Sequence, residues 1–462
     1  MREERPDRKW LELSLAQQSI WLESKLNPGA ALQLGGWARI EGELDDHLAR
    51  QAMSLVMARH NALRLRVDEH EPRQWIDESM EAPFVTSIVA ASDDPDRAFQ
   101  QYMTADFASP MPLGDHPLFC ITLIRDSEGQ FTFLLWRFHH LIADSVSASM
   151  TMRHWTEAYL SLSEDVPGTL AARSSYEEVI ASDVKYLASD IYRADLDYWT
   201  RRFHPLPPVL IVERSTTDAV THEHFYSDWM IEGQQWIDLN TLADTYSISS
   251  YRLLFVLFAL VVSNRYGVTD LVAGIALHRR EPSNWQSLGM FSGVLPVQFA
   301  FKGSESFAQT ARRWGFQIDQ DLRHQRFPVD HLARALGLFR AGRARLFDLV
   351  LSYIPSERIR NDSLDEGMPI RSGTVAATEA SPISLHVTEL PSEQMQVRVA
   401  VNPNIVHGSE ANYLMSFLHE ICKSVLHSPN TPAENLLSIN GREHAIVVAG
   451  DCPEEDRQEW VI

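Results

Sequence analysis

Eight mostly apolar, β-prone residues, Phe131 to Phe138, run straight into two adjacent histidines, His139 and His140, and an aspartate follows at Asp144. The run reads as a buried strand bounded upstream by the turn-like RDSEGQ. Beyond Asp144, the small polar residues Ser145 and Ser147 introduce a segment in which Met150, Trp155, Ala158 and Tyr159 recur at helical spacing. The histidine pair therefore occupies a strand-to-turn-to-helix junction. Consecutive strand residues face opposite ways, so one histidine is expected to meet a substrate and the other to hold structure, unless the turn begins between them.

The surrounding pattern is mixed α/β. After Ser14, a candidate cap, Leu15, Ile20, Trp21 and Leu26 line one side of a helix. LQLGGWARIEG alternates as a strand, DDHLARQAMSLVMARHN is a helix opening at an aspartate, and ALRLRV alternates as another strand. PLFCITLI and FTFLLWRF form an antiparallel hairpin at the heart of this first half. Pro167 and Gly168 then break the helical pattern, which places a lobe boundary at 172/173. A helical stretch from Ser175 to Phe203 ends at the connector HPLPPVL. The second half repeats the mixture: a buried helix closed by Gly267, strand-like DLVAGIAL and GVLPVQFAF, and a buried strand in ARLFDLVLSYI. Residues 173–449 are expected to make the second lobe, and 450–462 an acidic linker leaving the compact body.

Length suggests roughly two or three domains. With 45% hydrophobic and 22% charged residues the chain can fill sizeable cores. A net charge of −21 disfavours nucleic acid and anionic membrane as partners. The longest apolar run, LLFVLFALVV, is too short to cross a bilayer, the charged start lacks the core of a signal peptide, and the three cysteines are far apart; a cytoplasmic protein fits best.

Asp144 could orient an imidazole directly, or it could hold the loop by pairing with an arginine, for which Arg59, Arg64, Arg279 and Arg280 are candidates. His139, His140 and Asp144 are metal-ligand types, but adjacent histidines diverge and no third follows at ligand spacing, so no metal is expected. No G-x-S-x-G elbow supports a serine hydrolase.

The HHLIADSVS stretch resembles the HHxxxD signature of nonribosomal peptide synthetase condensation domains, in the chloramphenicol acetyltransferase-like superfamily. Further stretches similar to that family appear in order: LSLAQQSIW, RHNALRLRV, DLDYWTRRF, LGMFSGVLPVQF, HQRFPVDHL and RARLFDLVLSYIP. Two positions depart from its pattern: Ser145 where glycine is usual, and Ser292-Gly293 where valine-asparagine is commoner. The resemblance implies two acyltransferase-like lobes in a V-shaped pseudo-dimer with the active site between them, and an amide formed by attack of an amine on an acyl thioester. It implies His140 as the catalytic residue, with His139 and Asp144 shaping the loop and Arg64 as the candidate partner of Asp144. It places Trp199, Gly289 and Ser292 along the substrate channel. The small residues Ser145, Ser147 and Ala148 could leave room there for an acyl chain or pantetheine arm, or could serve close helix packing. Residues 278–297 resemble a loop flooring that channel, and a stretch near Ser372 to His386 one that latches across to the first lobe. Gly289, Gly293 and Gly373 suit mobile or tightly turned backbone.

The resemblance also implies the partners: an aminoacyl carrier protein as acceptor, acyl-CoA or an acyl carrier protein as donor, and a downstream adenylation domain. Phosphopantetheine and coenzyme A enter as parts of substrates, with no permanently bound cofactor, and the chain is expected to be monomeric. Only about a dozen residues precede LSLAQQSIW; if Met1 is the native start, the donor arrives separately, as for a starter domain that transfers a fatty acyl group from acyl-CoA. The alternatives are an ordinary condensation domain using a donor on a separate carrier, a catalytically silent recruiting domain, or an epimerisation domain.

Overall fold

Apolar runs, caps and turn residues set the element boundaries in the computed structural model, which describes residues 8–437 apart from 27–31, 89–94, 126–129, 165–174, 212–224, 303–304, 344, 356–369, 377–380 and 391–392. The first half contains β1 (Leu11–Glu12), α1 (Leu15–Leu26), β2 (Gln33–Glu41), α2 (Asp46–Arg59), β3 (Leu65–Val67), β4 (Arg73–Ile76), β5 (Phe84–Ile88), α3 (Pro95–Ala108), β6 (Phe119–Arg125), β7 (Phe131–His139) and α4 (Ser145–Ser163). Asp45 caps α2 by accepting the N–H groups of His47 and Leu48 at 2.8 and 3.0 Å. The expected hairpin is β6 and β7, antiparallel from Phe119 opposite Phe138 to Arg125 opposite Thr132. The strand expected over ALRLRV is shorter: Asn61–Arg64 forms a 3-10 turn and only Leu65–Val67 is extended. The turn places the Asn61 carboxamide where it accepts the Tyr176 N–H and donates to the Ser175 hydroxyl.

The second half contains α5 (Tyr176–Leu187), α6 (Asp190–Arg202), β8 (Phe225–Ile231), α7 (Gly233–Tyr246), α8 (Ser250–Tyr266), β9 (Asp270–Leu277), β10 (Gly293–Ala300), α9 (Phe307–Leu322), α10 (Val329–Ala335), β11 (Leu349–Ile354), β12 (Ile370–Ala376), β13 (Ile383–Leu390), β14 (Gln394–Val401), α11 (Glu410–His427) and α12 (Ala433–Leu437). The helical stretch after Ser175 divides in two where Ser189 caps α6. α8 is buried along most of its length and ends at Gly267 with φ of +67°, which accounts for its apolar run as core rather than membrane span. Among the described residues no single helix is long and apolar enough to cross a membrane.

Two large sheets result, in the order β12-β2-β7-β6-β5 for the first lobe and β10-β9-β11-β13-β14-β8 for the second, with a small β1-β4-β3 sheet beside the first. Each lobe has its own core, one around β7, α2 and α4 and the other around α8, β9 and β13. Among the described residues, β12 and the loop between β9 and β10 are features that cross between them. β12 leaves the second sheet, although its neighbours β11 and β13 pair there in parallel, and runs antiparallel to β2, with Ile370 opposite Ile40 and Ala376 opposite Leu34. Leu288 and Phe291, from the loop between β9 and β10, are buried in the first core. The crossing strand begins two residues before Ser372 and has ended by Ala376, while His386 lies in β13. The expected boundary at 172/173 and the segment 450–462 lie outside the described residues.

Candidate active site at the lobe junction

β7 delivers His139 and His140 to one end of the first sheet, and the chain turns immediately. The His139 carbonyl accepts the Ile142 N–H at 3.0 Å, and the His140 N–H reaches the Leu32 carbonyl at 2.9 Å. His139 is buried, and its Nδ1 accepts the Leu141 N–H at 3.0 Å, which locks the turn. Burial, with the neighbouring His140 adding to it, pushes the His139 pKa down to about 3, so this ring is a neutral structural acceptor. His140 keeps partial exposure between fully buried His139 and Leu141. Its Nδ1 is shielded and makes no hydrogen bond of ordinary geometry, leaving Nε2 as the nitrogen able to meet a substrate. Burial lowers the His140 pKa; the Asp144 carboxylate and the Ala143 carbonyl oppose this without cancelling it. The ring is therefore a free base at neutral pH.

Asp144 caps α4 by accepting the Ser147 N–H at 2.8 Å. Its main partner is Arg280, in a bidentate pair of 2.6 and 3.0 Å in which both side chains are essentially inaccessible. Phe291 N–H and the Ser292 hydroxyl also donate to Asp144 Oδ2, each at 3.2 Å. Burial works to raise the Asp144 pKa, but Arg280 and the Ser147 bonds outweigh it and hold the carboxyl below its ordinary value. Asp144 thus braces the turn that carries His140 and binds it to the second lobe.

Of the four arginine candidates, the structure selects Arg280. Arg64 is corrected: it pairs with the exposed Glu78 on the first lobe. It sits in the 3-10 turn that replaces the expected strand, whereas Arg280 projects from the loop that packs directly on α4.

The expected channel residues take different places. Ser147 is buried, its hydroxyl donating to the Gly289 carbonyl at 2.6 Å and accepting from Gly289 N–H at 2.9 Å and from Arg280 at 2.6 Å. Ala148 is 4% exposed within the first core, and Ser145 is exposed in the first turn of α4. Small size at 147 allows the close approach of helix and loop. Trp199 is corrected from channel to core: it is 1% exposed, stacks on Phe203, and donates Nε1 to the His324 carbonyl, because it lies on the inner face of α6 in the second lobe. Gly289 has φ of +145°, and a Cβ there would come within 2.2 Å of the Tyr176 ring, so glycine is required. Ser292 holds Asp144, and Gly293 opens β10 with the Arg279 guanidinium against its α-carbon.

Two further supports lie in the LSLAQQSIW stretch, where the sequence marked Ser14 only as a helix cap and Gln17 not at all. Gln17 donates to the Leu141 carbonyl at 2.8 Å and pairs with Gln74, holding the turn from behind. Ser14 meets Tyr176 at 2.8 Å.

The site is thus a strand-end histidine pair on a turn braced by an aspartate that pairs with an arginine of the second lobe. The sequence model of the condensation-domain family matches residues 8–447, and the chain belongs to it, a family of amide-bond-forming acyltransferases. The chain is similar to the isonitrile lipopeptide synthase of Streptomyces coeruleorubidus, 26% identical over 90% of this chain, and to surfactin synthase subunit 1 of Bacillus subtilis (strain 168), 24% identical over 95%. It spans 28% and 12% of those relatives' lengths. Among solved structures it resembles a variant of the starter condensation domain of rhizomide synthetase RzmA in complex with C8-CoA, with a TM-score of 0.79 and 22% identity, covering 94% of this chain and 98% of that one. It also resembles the first condensation domain of the calcium-dependent antibiotic synthetase in complex with a substrate analogue, with a TM-score of 0.74 and 22% identity, covering 92% and 98%.

Proposed function

We propose that this chain is a starter condensation domain, transferring a fatty acyl group from coenzyme A to the amino group of a carrier-protein-bound amino acid. The observation that carries the catalytic part is the state of His140: partly accessible, neutral, with Nδ1 shielded, on a turn held rigid by Asp144 and Arg280. The amine nitrogen attacks the thioester carbonyl, a C–N bond forms, and the C–S bond breaks. An α-amino group has a pKa of roughly 7.7 to 8.0, so its first deprotonation at pH 7 costs only about 1 kcal/mol. The harder event is removal of the second proton from the cationic nitrogen of the tetrahedral intermediate. His140 Nε2 accepts that proton and can return it to the departing thiolate. His139, Asp144 and Arg280 touch no reacting atom and act by fixing the ring.

The acyl-CoA donor is supported by the starter domains among the structural neighbours, one of them described with C8-CoA and Leu-SNAC together. The lipopeptide synthase among the relatives points the same way. An aminoacyl carrier protein and a downstream adenylation domain are the partners in this reading, and the cytoplasm is the compartment that supplies acyl-CoA.

The test is mass spectrometry of a loaded aminoacyl carrier protein incubated with the chain and a panel of acyl-CoA species. The expected result is an acyl mass gain that falls by about 10²-fold or more in His140→Ala. Gain only from an acyl carrier protein would replace the starter reading with an ordinary condensation domain. Full activity of His140→Ala would refute the role of the imidazole.

A further inference from the structure

Tyr176, the first residue of α5, touches three separate segments of the site's surroundings. Its backbone N–H is held by Asn61 Oδ1 at 2.8 Å. Its hydroxyl donates to the Met290 carbonyl at 2.6 Å, which uses its only proton, so the Ser14 hydroxyl at 2.8 Å must donate to the phenol oxygen. Its ring fills the space a side chain at 289 would need and meets Phe291 edge-on, with ring centroids 5.8 Å apart. The residue is 1% exposed, and burial raises its pKa well above the ordinary phenol value, so the donor proton is retained at any working pH. The peptide that follows Met290 carries the Phe291 N–H that donates to Asp144 Oδ2.

From this we infer that Tyr176 is a positioning residue for the acyl transfer: by holding the Met290 carbonyl it aims the Phe291 N–H at Asp144 and so sets the loop against the turn carrying His140. The geometry explains why three stretches distant in sequence meet at one phenol. Ser14 comes from the N-terminal segment, Asn61 from the 3-10 turn, and Gly289 to Phe291 from the second lobe. Whether a carboxylate brace holds the imidazole within the few tenths of an ångström that catalysis requires then depends on a hydroxyl outside the ion pair.

The inference rests on the amide-forming reading for its consequence in rate, but not for its consequence in structure, and the experiment separates the two. In the full chain, Tyr176→Phe keeps the ring and removes the hydroxyl. Hydrogen exchange at the Phe291 amide is expected to accelerate by about ten-fold or more, while amides of the β13 and β14 ladder in the second lobe keep their rates. With acyl donor and aminoacyl carrier saturating, kcat is expected to fall by about ten-fold with KM little changed. The kcat loss is expected to vanish when Tyr176→Phe is made in an Asp144→Asn background, since both act through the same carboxylate. A general loosening of the fold would instead lower kcat by the same factor in both backgrounds. Should Tyr176→Phe fail to fold, Ser14→Ala reports the same link, with faster Phe291 exchange expected. Unchanged Phe291 exchange in Tyr176→Phe, or in Ser14→Ala where that variant stands in, overturns the inference. So does an equal kcat loss with and without Asp144. If the unmodified chain forms no amide from any donor, the functional reading fails, and the Phe291 exchange still decides whether the phenol sets the loop.

Discussion

Asp144 and Arg280 show how much one pair can control. Two charges removed from water attract each other, yet the larger effect of a buried pair appears when one member is lost. Arg280→Met is expected to lower stability by about 3–5 kcal/mol, because Asp144 is left buried with no counter-charge. Arg64→Met, which breaks a pair whose carboxylate is exposed, is expected to cost under about 1 kcal/mol. Denaturant unfolding of the two variants checks both figures, and a cost for Arg64→Met as large as that of Arg280→Met would contradict the assignment. The histidine pair and its aspartate were legible from the chain, because a strand pattern running into His139-His140 leaves few places for Asp144. The partner was not legible, since Arg280 lies 136 positions beyond Asp144 and four arginines met the same chemical requirement.

The element that ties the lobes together is β12, and its identity as a strand is less telling than the sheet it joins. It caps the otherwise open edge of β2, opposite seven consecutive residues from Leu34 to Ile40. In an antiparallel edge strand alternate N–H groups donate inward, so one of any two neighbours contributes to the ladder. Prolines at both Gly373 and Thr374 therefore remove at least one bond, and faster hydrogen exchange of β2 amides between Gly36 and Trp37 is expected. Unaltered protection there would mean that β2 does not depend on this strand. The helix α4 offers a second comparison at this scale. Its small residues 145, 147 and 148 were equally compatible with open space and with tight packing. At 147 the hydroxyl packs on the loop carrying Gly289, which comes close enough to bond it at both its N–H and its carbonyl. Composition shows that side chains are small; what approaches them is decided by another part of the chain.

At the scale of the molecule, burial of histidines couples stability to pH. His60 and His154 stack with ring centroids 5.1 Å apart, and burial pulls each pKa down to about 4, with His139 lower still at about 3. Between those values and 6.5 the unfolded chain binds protons that the folded chain does not. Their contribution is present above about pH 6.5 and is lost as pH falls toward 4, by about 2 kcal/mol per histidine at pH 5. The free energy of unfolding is expected to drop from pH 7 to pH 5, and His154→Phe, which keeps an aromatic ring in the stack, is expected to shrink that drop. An equal drop in His154→Phe would remove the pair as its cause. The sequence by itself determined the mixed α/β class, the strand-to-helix junction with its histidines, most of the helices and strands around it, and the family. These follow from local periodicity, caps and turns, which act over a few residues. Only the tertiary structure decided that Arg280 rather than Arg64 faces Asp144, that Trp199 is core, that β12 joins the sheet of the other lobe, and that Tyr176 reaches Met290. Each of those depends on where segments far apart along the chain come to rest, and burial then fixes which of several chemically equivalent partners is the one within reach.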